Sequence, residues 1–211
     1  MGGRNGRPVG PTRYWRPLAG AAAGLLVMVE LTRHAMWRDE LNAWAIALAS
    51  PTPAALFRNL HYDGHPGLWH LMLWVTSAVT RNPAALQVVH GAVALALIGF
   101  IAWRSPLGRA GTVLLLGSYF VVFEYTVVSR NYGIAMLLAL LYAERRACRP
   151  DDAVGAAALL GLLANTNVFA LILSAGCALE YLIDRMHDAG PRWRGAAARL
   201  AGPAALYVAL T

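Results

Sequence analysis

The chain has 211 residues, of which 58% are hydrophobic and 14% charged, and its mean hydropathy is +0.47. A soluble domain of this length carries more charge and fewer apolar residues, so the composition indicates an integral membrane protein. The net charge is +7, and all 18 basic residues are arginines that stand in short clusters between apolar runs. Cytoplasmic loops of membrane proteins have this pattern, so nucleic acid is excluded as a partner.

The N-terminal stretch combines a basic tail with an apolar run. Residues 1–17 are rich in Gly, Pro and Arg, and the run 18–36 follows. The run is longer than the apolar core of a signal peptide, which has about 7–15 residues. We therefore predict a first transmembrane helix whose tail, residues 1–17, is cytoplasmic. Glu30 and His34 have the i,i+4 spacing of a helical pair near its outer end.

Three short helices are predicted after this span. An apolar stripe of Trp37, Leu41, Trp44 and Leu48 predicts a helix that lies along the membrane surface. Thr52 as N-cap, with Pro53 at the first helical position, starts a second short helix that continues to Leu60. The run 67–80 is shorter than the ~20 residues that a span needs, so we interpret it as a third surface helix.

The distribution of arginine supports this topology. If the run 67–80 does not cross, 13 arginines lie inside and five lie outside, namely Arg33, Arg38, Arg58, Arg81 and Arg130. If it does cross, every later basic loop faces outward, against the positive-inside rule. The outer loop therefore covers residues 37–83.

The rest of the chain is predicted to be further spans. They cover 84–103, 110–123, 126–143, 153–168, 169–183 and an unfinished run 200–211. The polar break Asn165-Thr166-Asn167 makes 153–183 a hairpin. The predicted fold class is an all-α polytopic transmembrane bundle, with residues 18–211 as a single transmembrane domain. Because the last run ends without a loop, we expect the chain to be the N-terminal part of a longer protein.

The outer loop contains the densest cluster of ionisable groups in the chain. Charges this close to a bilayer lose hydration unless they face a water-filled cavity or pair with one another, so such a cluster indicates a site. An alternative for Asp39 is a simple N-cap role at the first surface helix. The cluster consists of Asp39, Glu40, Arg58, His61, Asp63 and His65.

A metal site is an open alternative for the same cluster. His61, Asp63 and His65, together with Asp39, are suitable zinc ligands. The spacing His61-x-x-x-His65 is weak evidence, however, and no HExxH motif is present. No cofactor is therefore firmly expected, although a divalent metal is compatible with the residues.

Three motifs occur in a characteristic order over residues 18–185. They are the pair Asp39-Glu40 after the first span, His65-Pro66-Gly67-Leu68 at the third surface helix, and Val128-Ser129-Arg130-Asn131-Tyr132 at the outer end of a later helix. This order resembles the GT-C superfamily of polyprenyl-phosphate-sugar-dependent glycosyltransferases, and most of all the protein O-mannosyltransferase, aminoarabinose transferase and RgtA–D-like group. Gly67 stands where the family usually has a second proline, and the aromatic residue before Ser-Arg is displaced to Tyr125.

The resemblance implies inverting transfer of a sugar from a polyprenyl-phosphate donor to a hydroxyl group of a lipid, glycan or protein. The reaction would take place on the outer side of a bacterial inner membrane. Asp39 would be the general base, Glu40 its acidic companion, and Arg130 the residue that meets the donor phosphate. The expected substrate-binding residues are Arg130, Tyr132, His65, Arg58, His61 and Asp63.

The sequence leaves alternatives to this function and to the roles of several residues. Glu124 is expected to neutralise Arg130 or to line the same cavity, and His70, His90 and Gln87 are interpreted as packing or interhelical hydrogen-bonding groups. A snorkelling interfacial role is the alternative for Arg130. A transporter or membrane assembly subunit is an alternative function, although the internal repeat of broken helices typical of transporters is absent from the sequence. An inactive, truncated glycosyltransferase is the third possibility.

Overall fold

A computed structural model of the chain describes residues 14–190 and 193–211. Within these ranges the secondary structure is helical and contains no strand, which confirms the all-α class. The predicted cytoplasmic tail lies largely in residues 1–13, outside the described part. The helices are α1 (Trp15–Arg33), α2 (Arg38–Leu48), α3 (Pro53–Asn59), α4 (Leu68–Ser77), α5 (Ala84–Arg104), α6 (Arg109–Leu116), α7 (Tyr132–Cys148), α8 (Ala153–Ala164), α9 (Val168–Ala189) and α10 (Trp193–Leu210).

One helix of the described residues, α5, is by itself long and apolar enough to cross a membrane. Helices α1 and α2 meet the same criterion only as a pair, and they are bent by 78° relative to each other. Helix α8 has 12 residues, which rise about 18 Å, whereas the hydrocarbon core of a bilayer is ~30 Å thick. The number of crossings therefore stays a prediction.

The three helices predicted between residues 37 and 80 are present as α2, α3 and α4, and their position along a membrane surface stays a prediction. Thr52 caps α3 as expected, since its hydroxyl accepts a hydrogen bond from the N–H of Ala55 at 3.1 Å. Gly64 turns the chain with a φ of +71°, a left-handed conformation that glycine adopts without strain. The sharp bend between α1 and α2 leads the chain sideways from the end of the first helix.

Helices α1, α5 and α6 pack around one apolar core, and α7 to α10 pack around a second. Glycine allows α1 and α5 to approach closely, because a Cβ atom at Gly91 would lie 3.0 Å from the Leu31 side chain. A third cluster, which includes Trp44, Trp69 and Leu86, fixes α2 and α4 on the N-terminal end of α5. The charged loop is thereby attached to the helices that follow it.

The structure corrects the prediction for residues 110–143. Helix α6 ends at Leu116, a π-helical turn covers Phe120–Glu124, and α7 begins only at Tyr132. The segment 125–131 is irregular, and Thr126 contributes to this because its hydroxyl donates to the carbonyl of Val121 at 2.6 Å. Arg130 therefore lies in a loop before α7, not within a helix.

The predicted hairpin of residues 153–183 is confirmed, although α9 continues to Ala189. Asn167 caps α9 by accepting from the N–H of Ala170 at 2.9 Å. The tip of the hairpin meets the surface helices, since the N–H of Leu68 donates to the carbonyl of Asn165 at 3.0 Å. The charged loop and this tip thus share one end of the helices.

Ion pairs lie at the opposite end of the helices. Arg145 pairs with Asp152 in the turn between α7 and α8, and Arg146 pairs with Asp184 of α9. A hydrogen bond from the backbone N–H of Gly155 is the main cause that lowers the pKa of Asp152, and the contact with Arg145 lowers it further. The arginine-rich loops and the predicted site therefore lie at opposite ends of the helices.

Candidate functional site

A cavity of about 190 Å³ opens between α2, the turn before α4 and the start of α7. It contains four of the residues that the sequence assigned to the site, and these come from three separate segments. Its lining consists of Asp39, Asn42, Ala43, Asp63, His65, Trp69, His70, Arg130 and Asn131.

Asp39 and Arg130 face each other across the mouth of this cavity. The Nη1 atom of Arg130 lies 3.4 Å from Oδ2 of Asp39, and the two side chains are 23% and 63% exposed. The guanidinium also lies over the ring of Tyr132, with 5.3 Å between Cζ and the ring centroid. Because an exposed ion pair contributes only about 0–1 kcal/mol, a charged ligand can separate these two groups at little cost.

Glu40 is fully buried and does not line the cavity. Its carboxylate accepts hydrogen bonds from the backbone N–H groups of Trp37 and Ser129, each at 2.7 Å. The ring of His34 approaches the same carboxylate at 2.8 Å, so His34 contacts Glu40 where its spacing had suggested Glu30. These contacts connect the end of α1, the start of α2 and the loop that carries Arg130.

The N-cap alternative for Asp39 is wrong. Trp37 occupies the cap position of α2, and Asp39 is the second residue of the helix. Glu40 provides the capping hydrogen bond, because its side chain reaches back to the N–H of Trp37. The side chain of Asp39 is thus available for the contact with Arg130.

Asp63 is the centre of a second group of polar contacts in the cavity. Its Oδ1 accepts from the amide of Asn42 at 3.1 Å, and its Oδ2 lies 3.2 Å from Nδ1 of His65 and 3.3 Å from Nε2 of His70. Burial lowers the pKa of His70, an effect that outweighs the attraction of Asp63 and is reinforced by His65. His70 is therefore neutral at pH 7 and offers one donor and one acceptor.

Three polar residues that line the cavity, Asn42, His70 and Asn131, are not among the site residues predicted from the sequence. His70 had been assigned to packing, but it lines the cavity. Asn42 follows Asp39 by three residues, so the shared helix face was a usable signal. Asn131, next to Arg130, offered no signal because Asn is an ordinary N-cap residue.

Gln87 and His90 make the interhelical contacts that the sequence predicts. The amide of Gln87 donates to the carbonyl groups of Leu31 and His34, at the end of α1. The ring of His90 packs edge-on against Trp69, with the ring centroids 5.8 Å apart. Both residues fix the surface helices and α1 to α5.

Arg58 and His61 are not among the residues that line the cavity. Both are exposed, Arg58 in the last turn of α3 and His61 in the 3-10 turn that follows. Within residues 14–190 and 193–211, no group of three or more His, Cys, Asp or Glu is arranged to hold a metal ion. The proposed set of His61, Asp63, His65 and Asp39 therefore does not form a ligand group here.

A larger, mainly apolar groove of about 580 Å³ lies beside the cavity. Tyr132 lines this groove and also supports Arg130, so the two sites are adjacent. Glu124 lines the groove and accepts a hydrogen bond from the hydroxyl of Tyr119 at 3.1 Å. It does not line the cavity and no contact joins it to Arg130 among those found in the described residues, contrary to expectation.

Comparison with known proteins returned no match. No protein-family model matches the chain, no curated protein is significantly similar to it, and no solved structure matches its fold. A function is therefore inferred from the motifs and from the geometry of the cavity.

Proposed function

We propose that this chain belongs to an inverting glycosyltransferase that uses a polyprenyl-phosphate-linked sugar at the outer face of a bacterial inner membrane. One observation carries the proposal. A carboxylate, Asp39, and a guanidinium, Arg130, meet in a polar cavity that adjoins an apolar groove at Tyr132. A donor with a sugar, a phosphate and a hydrocarbon chain carries three groups that are complementary to the polar cavity, the guanidinium and the apolar groove.

The groove suits the hydrocarbon chain of such a donor. Its lining is dominated by aromatic and aliphatic side chains, and its volume is within the range of small-molecule sites. Arg130, at the boundary between groove and cavity, is placed to form charge-assisted hydrogen bonds with the phosphate. Its stacking on Tyr132 restricts the plane of the guanidinium and so favours a two-point contact.

Asp39 is the proposed general base. It takes the proton of the acceptor hydroxyl as the oxygen attacks the anomeric carbon, and the bond from that carbon to the phosphate oxygen breaks. The phosphate leaves with the bonding electron pair, and Arg130 stabilises its charge. Binding of the phosphate to Arg130 would separate the Asp39–Arg130 pair and release the carboxylate for this step.

The proposal includes a membrane topology that labelling can test. With Cys148 and Cys177 replaced by serine, single cysteines are introduced at Asn59 and at Asp151, both of which are exposed. A membrane-impermeant maleimide should label the Asn59→Cys protein in intact cells and leave the Asp151→Cys protein unlabelled. Labelling of the second and not the first would reverse the topology.

Transfer itself is tested with the full chain in lipid nanodiscs. The probes are radiolabelled prenyl-phosphate hexoses and pentoses, with bacterial membrane extract as acceptor, and the release of prenyl phosphate is measured. Asp39→Asn should reduce transfer by at least ~10²-fold, the lower end of the effect of a general base. Arg81→Ala, an exposed arginine of the same predicted loop, is the control. The absence of transfer from every donor would overturn the proposal.

A further inference from the structure

Asn131 is a buried polar residue in the wall of the cavity. It is 3% exposed, and its Oδ1 atom has no hydrogen-bond partner among the described residues. It occupies the N-cap position of α7, where an Asn side chain normally accepts a hydrogen bond from the first turn, yet it makes no such bond. A buried carbonyl oxygen without a partner is unfavourable, so this acceptor is suited to a ligand that enters the cavity.

His70 also lines this cavity and is 2% exposed. Its Nε2 lies 3.3 Å from Oδ2 of Asp63 and the ring also approaches the backbone of Pro66, but neither ring nitrogen makes a hydrogen bond of good geometry within the part of the chain that the structure describes. Because burial keeps this imidazole neutral at pH 7, it provides one N–H donor and one acceptor nitrogen. The cavity wall thus contains both acceptors and a donor without carrying an unpaired positive charge.

We infer that Asn131 and His70 form a subsite that recognises hydroxyl groups of the sugar in the donor. A hydroxyl donates one hydrogen bond and accepts others, which matches the carbonyl oxygen of Asn131 and the neutral ring of His70. An anionic group would be repelled there by the Asn131 oxygen and by Asp63. This inference rests on the proposed function and identifies which residues of the cavity select the sugar.

The size and position of the cavity agree with a single sugar ring. Its volume of about 190 Å³ is below the range of roughly 300–1,000 Å³ of sites for drug-sized ligands. Asp39 and Arg130 stand at the same cavity, so a sugar held by Asn131 and His70 lies next to the proposed base and the proposed phosphate contact.

The first experiment separates recognition from a structural role. Asn131→Leu replaces the amide, whose Oδ1 atom is unpaired, by an apolar group of similar size, and Asn131→Gln keeps the amide. If Asn131 serves a ligand, the Tm of the Asn131→Leu protein in nanodiscs should be equal to or higher than that of the wild type. A clear decrease in Tm would show that Asn131 stabilises the fold and would count against the subsite.

The second experiment measures binding of farnesyl phosphate and of farnesyl-phosphoryl glucose, mannose, galactose and arabinose. The wild type should bind at least one sugar-bearing lipid about tenfold more tightly than farnesyl phosphate. Asn131→Leu should reduce this ratio to about threefold or less, because the net gain from one or two hydrogen bonds is lost. Asn131→Gln should retain more of the ratio than Asn131→Leu, and Arg130→Ala should weaken the binding of both kinds of lipid while preserving the ratio.

Failure of the subsite can be distinguished from failure of the proposed function. An unchanged ratio in the Asn131→Leu protein would overturn the subsite and leave the donor proposal intact. If the wild type binds none of the lipids, saturation-transfer NMR with methyl glycosides of the same sugars tests whether the cavity binds a sugar at all. A signal that Asn131→Leu abolishes would support the subsite without the lipid donor, whereas no signal from any glycoside would overturn it.

Discussion

The carboxylate of Glu40 accepts a hydrogen bond from the backbone N–H of Ser129 at 2.7 Å. Their sequence neighbours, Asp39 and Arg130, contact each other at 3.4 Å at the cavity. The buried contact therefore fixes the two backbone segments, while the exposed contact between Asp39 and Arg130 is free to open. Glu40 thus positions the two segments that carry Asp39 and Arg130, and a direct catalytic role for Glu40 stays a prediction.

Removal of the Glu40 carboxylate should loosen this arrangement. Glu40→Ala leaves the buried N–H groups of Trp37 and Ser129 without an acceptor, so we expect a loss of about 3 kcal/mol in the free energy of unfolding. Hydrogen–deuterium exchange of the amides in 125–131 should accelerate about tenfold or more. Glu40→Gln keeps one acceptor oxygen and should show a smaller change.

Glu30→Gln is the matched control for this prediction, since it removes a carboxylate from α1 near the same end. The exchange rates of the amides in 125–131 should stay the same, and the free energy of unfolding should change by no more than about 0.5 kcal/mol. If exchange in 125–131 were the same in Glu40→Ala as in the wild type, Glu40 would not hold this loop.

The helices were predictable where a local signal marks their ends. Thr52-Pro53 started α3, and Asn165-Thr166-Asn167 divided α8 from α9, because caps and polar breaks act through neighbouring backbone groups. Gly117 marks the end of α6, but residues 118–131 carried no such signal. Their side chains are mostly apolar in helix and loop alike, so hydropathy could not locate the break that places Arg130 before α7.

The residue types of the site were predictable from the sequence, but the contacts between these residues were not. The motifs and the charged cluster identified Asp39, Asp63, His65 and Arg130, all of which line the cavity. Adjacent residues on a helix point about 100° apart, so only one of Asp39 and Glu40 can face a given cavity. Which one does so depends on the packing of the distant segment 125–131, and neither spacing nor charge contains that information.

Arg130 should depend on the shape of its side chain as well as on its charge. Arg130→Lys keeps the positive charge but loses the planar fork and the stacking on Tyr132, so the affinity for farnesyl phosphate should fall about tenfold. Arg130→Ala should reduce it further. Tyr132→Leu, which removes only the ring beneath the guanidinium, should cause a smaller loss of a few-fold. Equal affinities of the Lys variant and the wild type would contradict a two-point phosphate contact.

Gly133 holds the Arg130 loop against α7. A Cβ atom at this position would lie 2.3 Å from the carbonyl oxygen of Tyr125, a backbone atom that cannot move without displacing the loop. We expect Gly133→Ala to destabilise the protein by about 1–3 kcal/mol and to weaken binding of farnesyl phosphate.

The control for this glycine is Gly176, in the middle of α9, where a Cβ atom would meet nothing within 4 Å. Gly176→Ala should be neutral or stabilising by up to about 1 kcal/mol, because alanine favours the helix. Thermal unfolding of the two variants in the same nanodiscs makes the comparison. If Gly133→Ala behaved like Gly176→Ala, the close contact between the loop and α7 would be disproved.

The burial of His70 predicts how the stability of the fold depends on pH. Burial lowers its pKa in the folded protein below the value of 6.5 that it has in an unfolded chain. As the pH falls through 6.5, the unfolded chain therefore takes up a proton that the folded protein resists, and the free energy of unfolding decreases. The decrease from this one residue cannot exceed about 1.4 kcal/mol per pH unit.

The other titratable and charged groups at this cavity are Asp63 and His65 from the turn before α4, Asp39 from α2, and Arg130. Since these also respond to pH, the test compares variants. The difference in Tm between pH 7.5 and pH 5.0 should shrink when His70 is replaced by Gln. The same substitution at His187, exposed at the far end of α9, should leave that difference unchanged. An equal pH response in the His70→Gln protein and the wild type would mean that burial of His70 contributes nothing to the acid sensitivity of the fold.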